Sequence, residues 1–423
     1  MTRLAGLLFV AVIGPLALGC RPASGPDAVV ELWAMGREGE VVQQMMPEFE
    51  RRHPGTRVRV QQIPWSAAHE KLLTAYVGGA LPDVFQAGNT WLPELVAVDA
   101  LEPLDERIAR SPGLVRDDYF AGILDTNVID GVTWGVPWYV DTRLLFYRTD
   151  VLAEAGHREP PRTWDAWVDA MARIKERAGP ERYAILLPFR EWQVPVILAL
   201  QADAGLLRDG DRYGAFRSAE FRRAFAFYLD LFRRGFAPRT GEAAIGNVYQ
   251  DFARAYFSLY VTGPWNIGEF GRRLPADFQP RWGTAPMPGP GDGPGVSLAG
   301  GASLALYRGS PRKDAAWTLV EYLSEPGRQA EFHRLTGDLP ARKSAWLEDR
   351  LPDDRHARAF WLQLQHVRST PKIPEWERIA SKITQYGEAA VRGDVTLEQA
   401  VAMLDEEVDG VLEKRRWLMR GDR

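Results

Sequence analysis

Acidic side chains stand close to aromatic rings at several points of this chain. Tyr139 and Asp141 are two residues apart. Glu191 adjoins Trp192, and tryptophan occurs 15 times in all. A buried carboxylate can accept hydrogen bonds from two adjacent hydroxyls, and a ring offers a wide apolar face at little entropic cost. Such groups suit a ligand that presents hydroxyls together with flat C–H faces, as a carbohydrate does.

The same residue types also suit other chemistries. Two carboxylates beside aromatic rings are what glycoside hydrolysis requires, and a protonated amine can lie over the same rings. Acid pairs are easy to find among 56 acidic residues, so their presence decides little. The six histidines show no spacing typical of metal ligands, and no Gly-x-Ser-x-Gly motif is present. We therefore expect no metal and no cofactor, while the residues alone leave a glycoside hydrolase open.

Length and charge limit the architecture and the partners. A chain of 423 residues exceeds one ordinary hydrophobic core, so two lobes are expected. The formal net charge is −4, from 52 basic and 56 acidic residues. Nucleic-acid binding normally needs a clear basic excess, so no nucleic-acid partner is expected.

The amino terminus has the layout of an export signal. Residues 4–18 are almost entirely apolar, too few to span a bilayer comfortably, and Cys20 follows them. A cysteine at this place resembles a bacterial lipobox, although Ala17 stands where that motif has leucine. We predict a signal peptide at 1–19 and a lipidated tether at 20–27. An ordinary signal peptide cut nearby, with an inert cysteine, is the alternative. No later segment has the character of a membrane span.

Hydrophobic periodicity predicts alternating strands and helices. This succession is typical of an α/β lobe with a mainly parallel sheet. Pro47 lies inside a helical pattern that it should kink or end, while Thr163 has the character of a helix N-cap. The predicted strands are 29–33, 58–60 and 82–85. The predicted helices are 41–49, 67–77, 164–177, 221–232, 313–323 and 397–412, and 286–295 is predicted to be a loop.

Several stretches resemble the extracellular (family 1) sugar-binding proteins of bacterial ABC importers, in particular the maltose and trehalose group. Together they cover nearly the whole mature chain in the order found in that family, and their order and spacing make the likeness specific. They are 78–85, 134–141 continuing to 144–148, 160–165, 263–267 and 298–301, followed by the helix after Pro311.

The resemblance implies an α/β, two-lobed periplasmic-binding-protein fold (type II-like). The ligand cleft then lies between lobes joined by hinge strands, and closure follows a hinge motion. We expect 28–138 plus 303–342 to form the amino-terminal lobe. Residues 139–302 plus 343–423 are expected to form the carboxy-terminal lobe.

The resemblance also implies a set of ligand-binding residues and no catalytic residue. Asp141 and Glu38 would accept hydroxyl bonds, Tyr139 would stack or donate, and Trp265 would stack from the second lobe. Ala302 stands where some members have a tryptophan, which predicts either a roomier site or another ring that covers the same face. The ligand-binding residues predicted are Glu38, Asn89, Trp91, Tyr139, Asp141, Glu191, Trp192, Trp265, Gly301 and Arg368.

The function expected is capture of a sugar, an α-linked glucose disaccharide such as maltose or trehalose, for an importer. The partners are then the membrane permease subunits, and the chain is a monomer, held by Cys20 at the periplasmic or extracellular face of a membrane. A receptor for a peptide or polyamine is the alternative, followed by an exported glycoside hydrolase.

Overall fold

The structure is a computed structural model that describes residues 28–239 and 246–421. Cys20 and the predicted signal and tether lie outside these ranges. The strands are β1 Ala28–Met35, β2 Thr56–Ile63, β3 Val84–Gly88, β4 Val128–Ile129, β5 Val132–Thr133, β6 Val136–Asp141, β7 Leu144–Arg148, β8 Ile185–Leu186, β9 Leu207–Arg208, β10 Tyr213–Gly214, β11 Leu259–Thr262, β12 Trp282–Ala285, β13 Ser297–Leu298, β14 Gly300–Leu306, β15 Leu339–Pro340 and β16 Val367–Arg368.

Helices connect and cover these strands, and in the described ranges none is long and apolar enough to cross a bilayer. They are α1 Gly36–Arg52, α2 Trp65–Val77, α3 Leu92–Ala97, α4 Asp105–Arg110, α5 Ala121–Asp125, α6 Thr149–Glu154, α7 Trp164–Ala178, α8 Gln193–Gln201, α9 Ala219–Arg233, α10 Val248–Ala253, α11 Trp265–Arg273, α12 Lys313–Leu323, α13 Pro326–Thr336, α14 Lys343–Glu348, α15 Ala357–Gln363, α16 Trp376–Arg392, α17 Leu397–Val411 and α18 Glu413–Gly421.

A six-stranded sheet organises the first lobe. Its strand order is β15-β6-β14-β3-β1-β2. β1 pairs in parallel with β2 and β3, whereas β14 pairs antiparallel with β3 and β6. The expectation of a mainly parallel sheet is therefore wrong. β14 and β15 come late in the chain and enter the sheet antiparallel to its first-lobe strands, a non-local pairing that local periodicity does not register.

A four-stranded sheet organises the second lobe, in the order β12-β7-β11-β8. Only two residues, Thr142 and Arg143, separate β6 in the first sheet from β7 in the second. The chain therefore crosses between the lobes at this point. These two sheets and their helices form the two-lobed α/β periplasmic-binding-protein fold.

The predicted lobe boundaries fall inside strands. The boundary at 138/139 divides β6, and that at 302/303 divides β14, both of which lie in the first sheet. The rest of the division into lobes stays a prediction.

Each helix predicted from the hydrophobic periodicity is present in the structure. The exception concerns Pro47, which was expected to kink or end its helix. α1 continues through Pro47 to Arg52. Proline removes one N–H from the helix, and the carbonyl it leaves unpaired belongs to Gln43, a solvent-exposed residue whose carbonyl water can satisfy. Thr163 caps α7 as predicted, its hydroxyl accepting a hydrogen bond from the N–H of Ala166 at 3.1 Å.

Candidate functional site

A cavity of about 500 Å³ lies where the two lobes meet. It is bordered by the carboxyl end of β6, the amino end of β14, the start of α1, the turn after β3 and the start of α11. A volume of this size is typical of small-ligand sites, which span about 300–1,000 Å³. The lining residues are Glu38, Trp65, Gly88, Asn89, Thr90, Trp91, Tyr139, Val140, Asp141, Thr142, Arg143, Trp192, Gln193, Pro264, Trp265, Leu298, Ala299, Gly300, Gly301 and Asp338.

Glu38 is held in the cavity wall by hydrogen bonds from two rings. The Tyr139 hydroxyl donates to it at 3.0 Å, and the indole N–H of Trp65 donates at 3.2 Å. Gln86 in turn donates to the Tyr139 hydroxyl at 2.9 Å and accepts from the N–H of Met35 at 2.8 Å. Because every member of this buried chain has a partner, the carboxylate is fixed in position.

Asp338 adds a second acid close to Glu38. It follows α13 and precedes β15 in the first lobe. Burial, and after it the charge of Glu38, raises the pKa of Asp338 to about 8. Burial also raises the pKa of Glu38, although hydrogen bonds from its own backbone, Tyr139 and Trp65 act in the opposite direction. Two neighbouring acids resist carrying two charges together, so the pair retains a proton at neutral pH.

Arg143 connects the remaining acids of the site with a ring. Its Nη1 donates to both carboxylate oxygens of Asp141, at 2.9 and 3.0 Å. Its Nη2 lies 3.6 Å from Glu191, and its guanidinium lies 4.5 Å from the ring centroid of Trp265. Burial lowers the pKa of Arg143, but the charges of Asp141 and Glu191 outweigh burial and raise it. Arg143 thus joins a first-sheet acid to a second-lobe acid and ring.

Tryptophan rings form flat walls on both sides of the cavity. Trp65 and Trp91 meet edge to face, with their centroids 5.8 Å apart. Trp192 packs edge to face on Trp376 at 5.3 Å. Trp265 folds back over Gly263, where an added Cβ would lie 1.9 Å from its ring, so only glycine leaves room for this ring position. The cavity therefore offers apolar faces beside its acids.

The turn at Gly301 brings backbone against the cavity. Gly301 has φ +132°, and a Cβ there would lie 2.2 Å from the carbonyl oxygen of Tyr139. The residue pairs with Val140 just before a register shift between Ala302 and Ser303. Glycine is required here by both the backbone angle and the close approach.

The structure brings eight of the ten predicted ligand-binding residues to this cavity. Two of the ten do not line it. Glu191 pairs with Arg143, which does line the cavity. Arg368, expected to reach back to the cleft, instead pairs with Asp203 at 3.0 Å and lines a separate groove beside the glycine- and proline-rich loop. The reason is its place in β16, whose partner β13 holds it on the second-lobe side.

Asn89 lines the cavity, but other protein groups use much of its amide. Its Nδ2 donates to Thr126 at 2.8 Å, and its Oδ1 accepts from Ser303 at 3.0 Å. One N–H of the amide remains available to a ligand. Asn89 therefore acts first as a structural link between β3, β14 and the helix before β4.

Among the charged and aromatic residues that line the cavity, sequence reasoning missed three: Trp65, Arg143 and Asp338. Arg143 lies within a stretch that carried the family likeness, two residues after Asp141, so its position was a usable signal. Trp65 begins α2, two residues before the predicted start of that helix at 67. Asp338 is separated in sequence from every other acid of the cavity and carries no local signal. In the described part of the chain, no three His, Cys, Asp or Glu residues are placed to hold a metal ion.

Proteins of known structure resemble this chain over nearly its whole length. The sugar-binding protein MalE of Xanthomonas citri has 49% sequence identity and a TM-score of 0.89, covering 93% of this chain and 99% of its own. A solute-binding protein of an ABC transporter from Thermotoga lettingae, bound with α-D-tagatose, has 25% identity and a TM-score of 0.78 over 91% of this chain and 100% of its own.

Similar sequences likewise include a sugar-binding protein. The diacetylchitobiose-binding protein DasA of Streptomyces coelicolor is 26% identical over 365 residues, which are 85% of this chain and 83% of that protein. The family model described as bacterial extracellular solute-binding protein matches residues 35–330. That match spans well over half of the sequence, and the chain therefore belongs to the family of bacterial extracellular solute-binding proteins.

Proposed function

We propose that this protein captures a sugar outside the cytoplasmic membrane and delivers it unchanged to the permease of an ATP-driven importer. The observation that carries the proposal is the cavity between the lobes, where buried Glu38 and the Asp141–Arg143 pair face the rings of Trp91 and Trp265. Acids that accept hydroxyl bonds beside flat rings match both faces of a pyranose. The names of its relatives, a sugar-binding and a diacetylchitobiose-binding protein, support the same class of ligand.

Within this class we propose an α-linked glucose disaccharide, maltose or trehalose. The cavity has room for a ligand of this size. Ala302 itself is fully buried in β14 and does not line the cavity. Glu38 and Asp141 would accept hydroxyl hydrogens, while Trp265 would stack on one sugar face. Hinge closure of the lobes over the sugar would then present the loaded form to the permease.

The proposal includes an anchor at the membrane surface. After removal of residues 1–19, a diacyl group on Cys20 would hold a monomer at the periplasmic or extracellular face. Each buried methylene contributes about 0.8 kcal/mol to such anchoring, and residues 20–27 would act as the tether. Mass spectrometry of the membrane-bound protein tests this directly. A free Cys20 thiol, or a mature chain that begins elsewhere, would contradict the anchor.

A cationic solute such as a polyamine is the second candidate, and the charge of the cavity favours it. Glu38, Asp141 and Asp338 line the cavity, and among its described lining residues only Arg143 carries a positive charge. The Glu38–Asp338 pair keeps one negative charge, while Asp141 is paired with Arg143. A protonated amine over the rings and beside the charge of that acid pair is physically favourable. The relative affinities for sugars and polyamines decide between the two candidates.

A thermal-shift screen of the purified protein tests the proposal. We expect maltose or trehalose, at a hundredfold excess over its dissociation constant, to stabilise the fold by about 2.7 kcal/mol and raise the melting temperature. Galactose, putrescine and spermidine serve as comparison solutes. A rise with putrescine or spermidine and none with any carbohydrate would reject the sugar proposal. Incubation with either disaccharide should release no glucose, and sustained release would instead identify a hydrolase.

Replacing Trp265 with alanine is expected to weaken sugar binding without unfolding the protein. The ring is 38% exposed, so its main loss is the stacking surface. That loss is worth about 2 kcal/mol, or roughly thirtyfold in affinity by calorimetry. Trp417→Ala is the matched control, because that ring is 71% exposed on α18, outside the cavity. Equal affinity of wild type and Trp265→Ala would remove Trp265 from the site.

A further inference from the structure

The two lobes also meet outside the cavity, at a seam beside the ring of Trp91. The helix α16 belongs to the second-lobe core through Trp376 and Ile379. It packs on the turn Asn89–Trp91, which follows β3 of the first sheet. Trp376 also supports the cavity ring of Trp192. The seam between α16 and this turn therefore adjoins aromatic walls of both lobes.

His69 lies on the first-lobe side of the seam. It belongs to α2, and its Nε2 is 2.8 Å from the Oε2 of Glu94 on α3. Its ring packs on Trp91, with the two centroids 5.2 Å apart. Trp91 in turn meets Trp65, whose indole donates to Glu38. The His69–Glu94 pair thus supports rings of the cavity wall without lining the cavity itself.

Glu377 brings a carboxylate to the seam from α16. Its Oε1 is buried and accepts no hydrogen bond within the described part of the chain. Burial raises the pKa of Glu377, a hydrogen bond from Thr90 and the charge of His69 act in the opposite direction, and the charge of Glu94 acts with burial. One imidazole is therefore close to two carboxylates that belong to different lobes.

The protonation of His69 decides whether these carboxylates are compensated. Burial alone would lower the pKa of His69, but the hydrogen bond with Glu94 and the charges of Glu94, Glu377 and Glu70 outweigh burial and raise it. Glu70 is exposed and lies on α2 itself, so Glu377 is the one of these acids on the second lobe. The imidazolium attracts both lobes, whereas without it Glu94 and Glu377 repel each other.

We propose that His69 and Glu377 are positioning residues that hold the two lobes together beside Trp91, so that affinity for the sugar falls as the imidazole loses its proton. This inference rests on the proposed function, because it concerns regulation of the same cleft. The seam favours protonated His69, so by linkage its contribution is present at low pH and is lost as pH rises through the titration of His69. Loss of the seam would let Trp91 and Trp192 move apart around the ligand.

Titration calorimetry at about pH 6 and about pH 9 tests this role, with maltose or whichever carbohydrate binds most tightly in the thermal-shift screen. Between these values wild type is expected to lose about fivefold more affinity than Glu377→Gln, which lacks the second-lobe charge. His69→Gln should show the same flattened profile. Comparing the pH ratios of the variants cancels the titration of Asp338, which all of them retain. Glu70→Gln is the matched control and should keep the wild-type profile, because it removes a carboxylate beside His69 on the same helix.

Nuclear magnetic resonance titration of the sugar-free protein tests the contact itself. The signal of His69 is identified by its absence from His69→Gln, and its pKa should fall further in Glu377→Gln than in Glu70→Gln. An unchanged His69 titration in Glu377→Gln, or a pH profile of sugar affinity that Glu377→Gln leaves as in wild type, would overturn the seam and leave the sugar-binding function standing. Failure of every carbohydrate to bind at both pH values would contradict the proposed function, and with it this control of affinity.

Discussion

Replacing Gly301 with alanine is expected to destabilise the protein by on the order of 4 kcal/mol and to abolish ligand binding. The alanine Cβ would lie 2.2 Å from the carbonyl oxygen of Tyr139 and 3.0 Å from the Cα of Val140, so β6 must move away from β14. Tyr139 carries the hydroxyl that fixes Glu38. A shift of this strand therefore disturbs the acid that we propose to hold the sugar.

Gly393→Ala separates the steric effect from the backbone angle. Gly393 has φ +87° at the end of α16, and nothing lies within 4 Å of its would-be Cβ. Alanine there has only the cost of the left-handed angle, about 1 kcal/mol. Denaturant unfolding of both variants, with calorimetry of those that fold, measures the difference. Similar losses at the two positions would mean that the contact between Gly301 and Tyr139 carries no special strain.

The sequence was informative wherever local pattern decides the structure. The helix of Trp164–Ala178 follows from its apolar spacing and the Thr163 cap, and Lys313–Leu323 has the bounds predicted. Pairing between distant strands had no such signal. β14 lies antiparallel between β3 and β6, over 150 residues after either strand, and local periodicity carries no information on that arrangement.

Individual site residues could be predicted only as far as the family likeness extends. Tyr139, Asp141 and Trp265 stand in matched stretches and do reach one cavity. Arg368 was predicted to line the cavity and does not. An arginine late in the chain can turn to either side of its strand, and the sequence does not indicate which. Asp338 is the opposite case, a cavity residue that was not predicted. It matters because it lies near Glu38 in space, and spacing along the chain does not reveal that proximity.

The acid pair Glu38 and Asp338 makes stability depend on pH in a definite direction. The folded-state pKa of Asp338 is raised to about 8, far above that of an exposed aspartate. Between about pH 4 and pH 8 the folded protein therefore holds a proton that the unfolded chain has released. The contribution of Asp338 to stability should be greatest below this window and fall, as pH rises through it, by up to about 1.4 kcal/mol per pH unit.

Asp338→Asn should remove that dependence, because an amide cannot release the proton. We expect the variant to exceed wild type in unfolding free energy by about 2 kcal/mol or more at pH 8.5, with little difference at pH 4. Urea unfolding at both values measures this. Glu38→Gln should weaken the dependence, since the charge of Glu38 is the second cause of the raised pKa. Asp314→Asn controls for losing a carboxylate, because that side chain is 97% exposed. A difference between wild type and Asp338→Asn that is the same at both pH values would mean that Asp338 is already ionised in the folded protein, with the cavity more hydrated than its burial indicates.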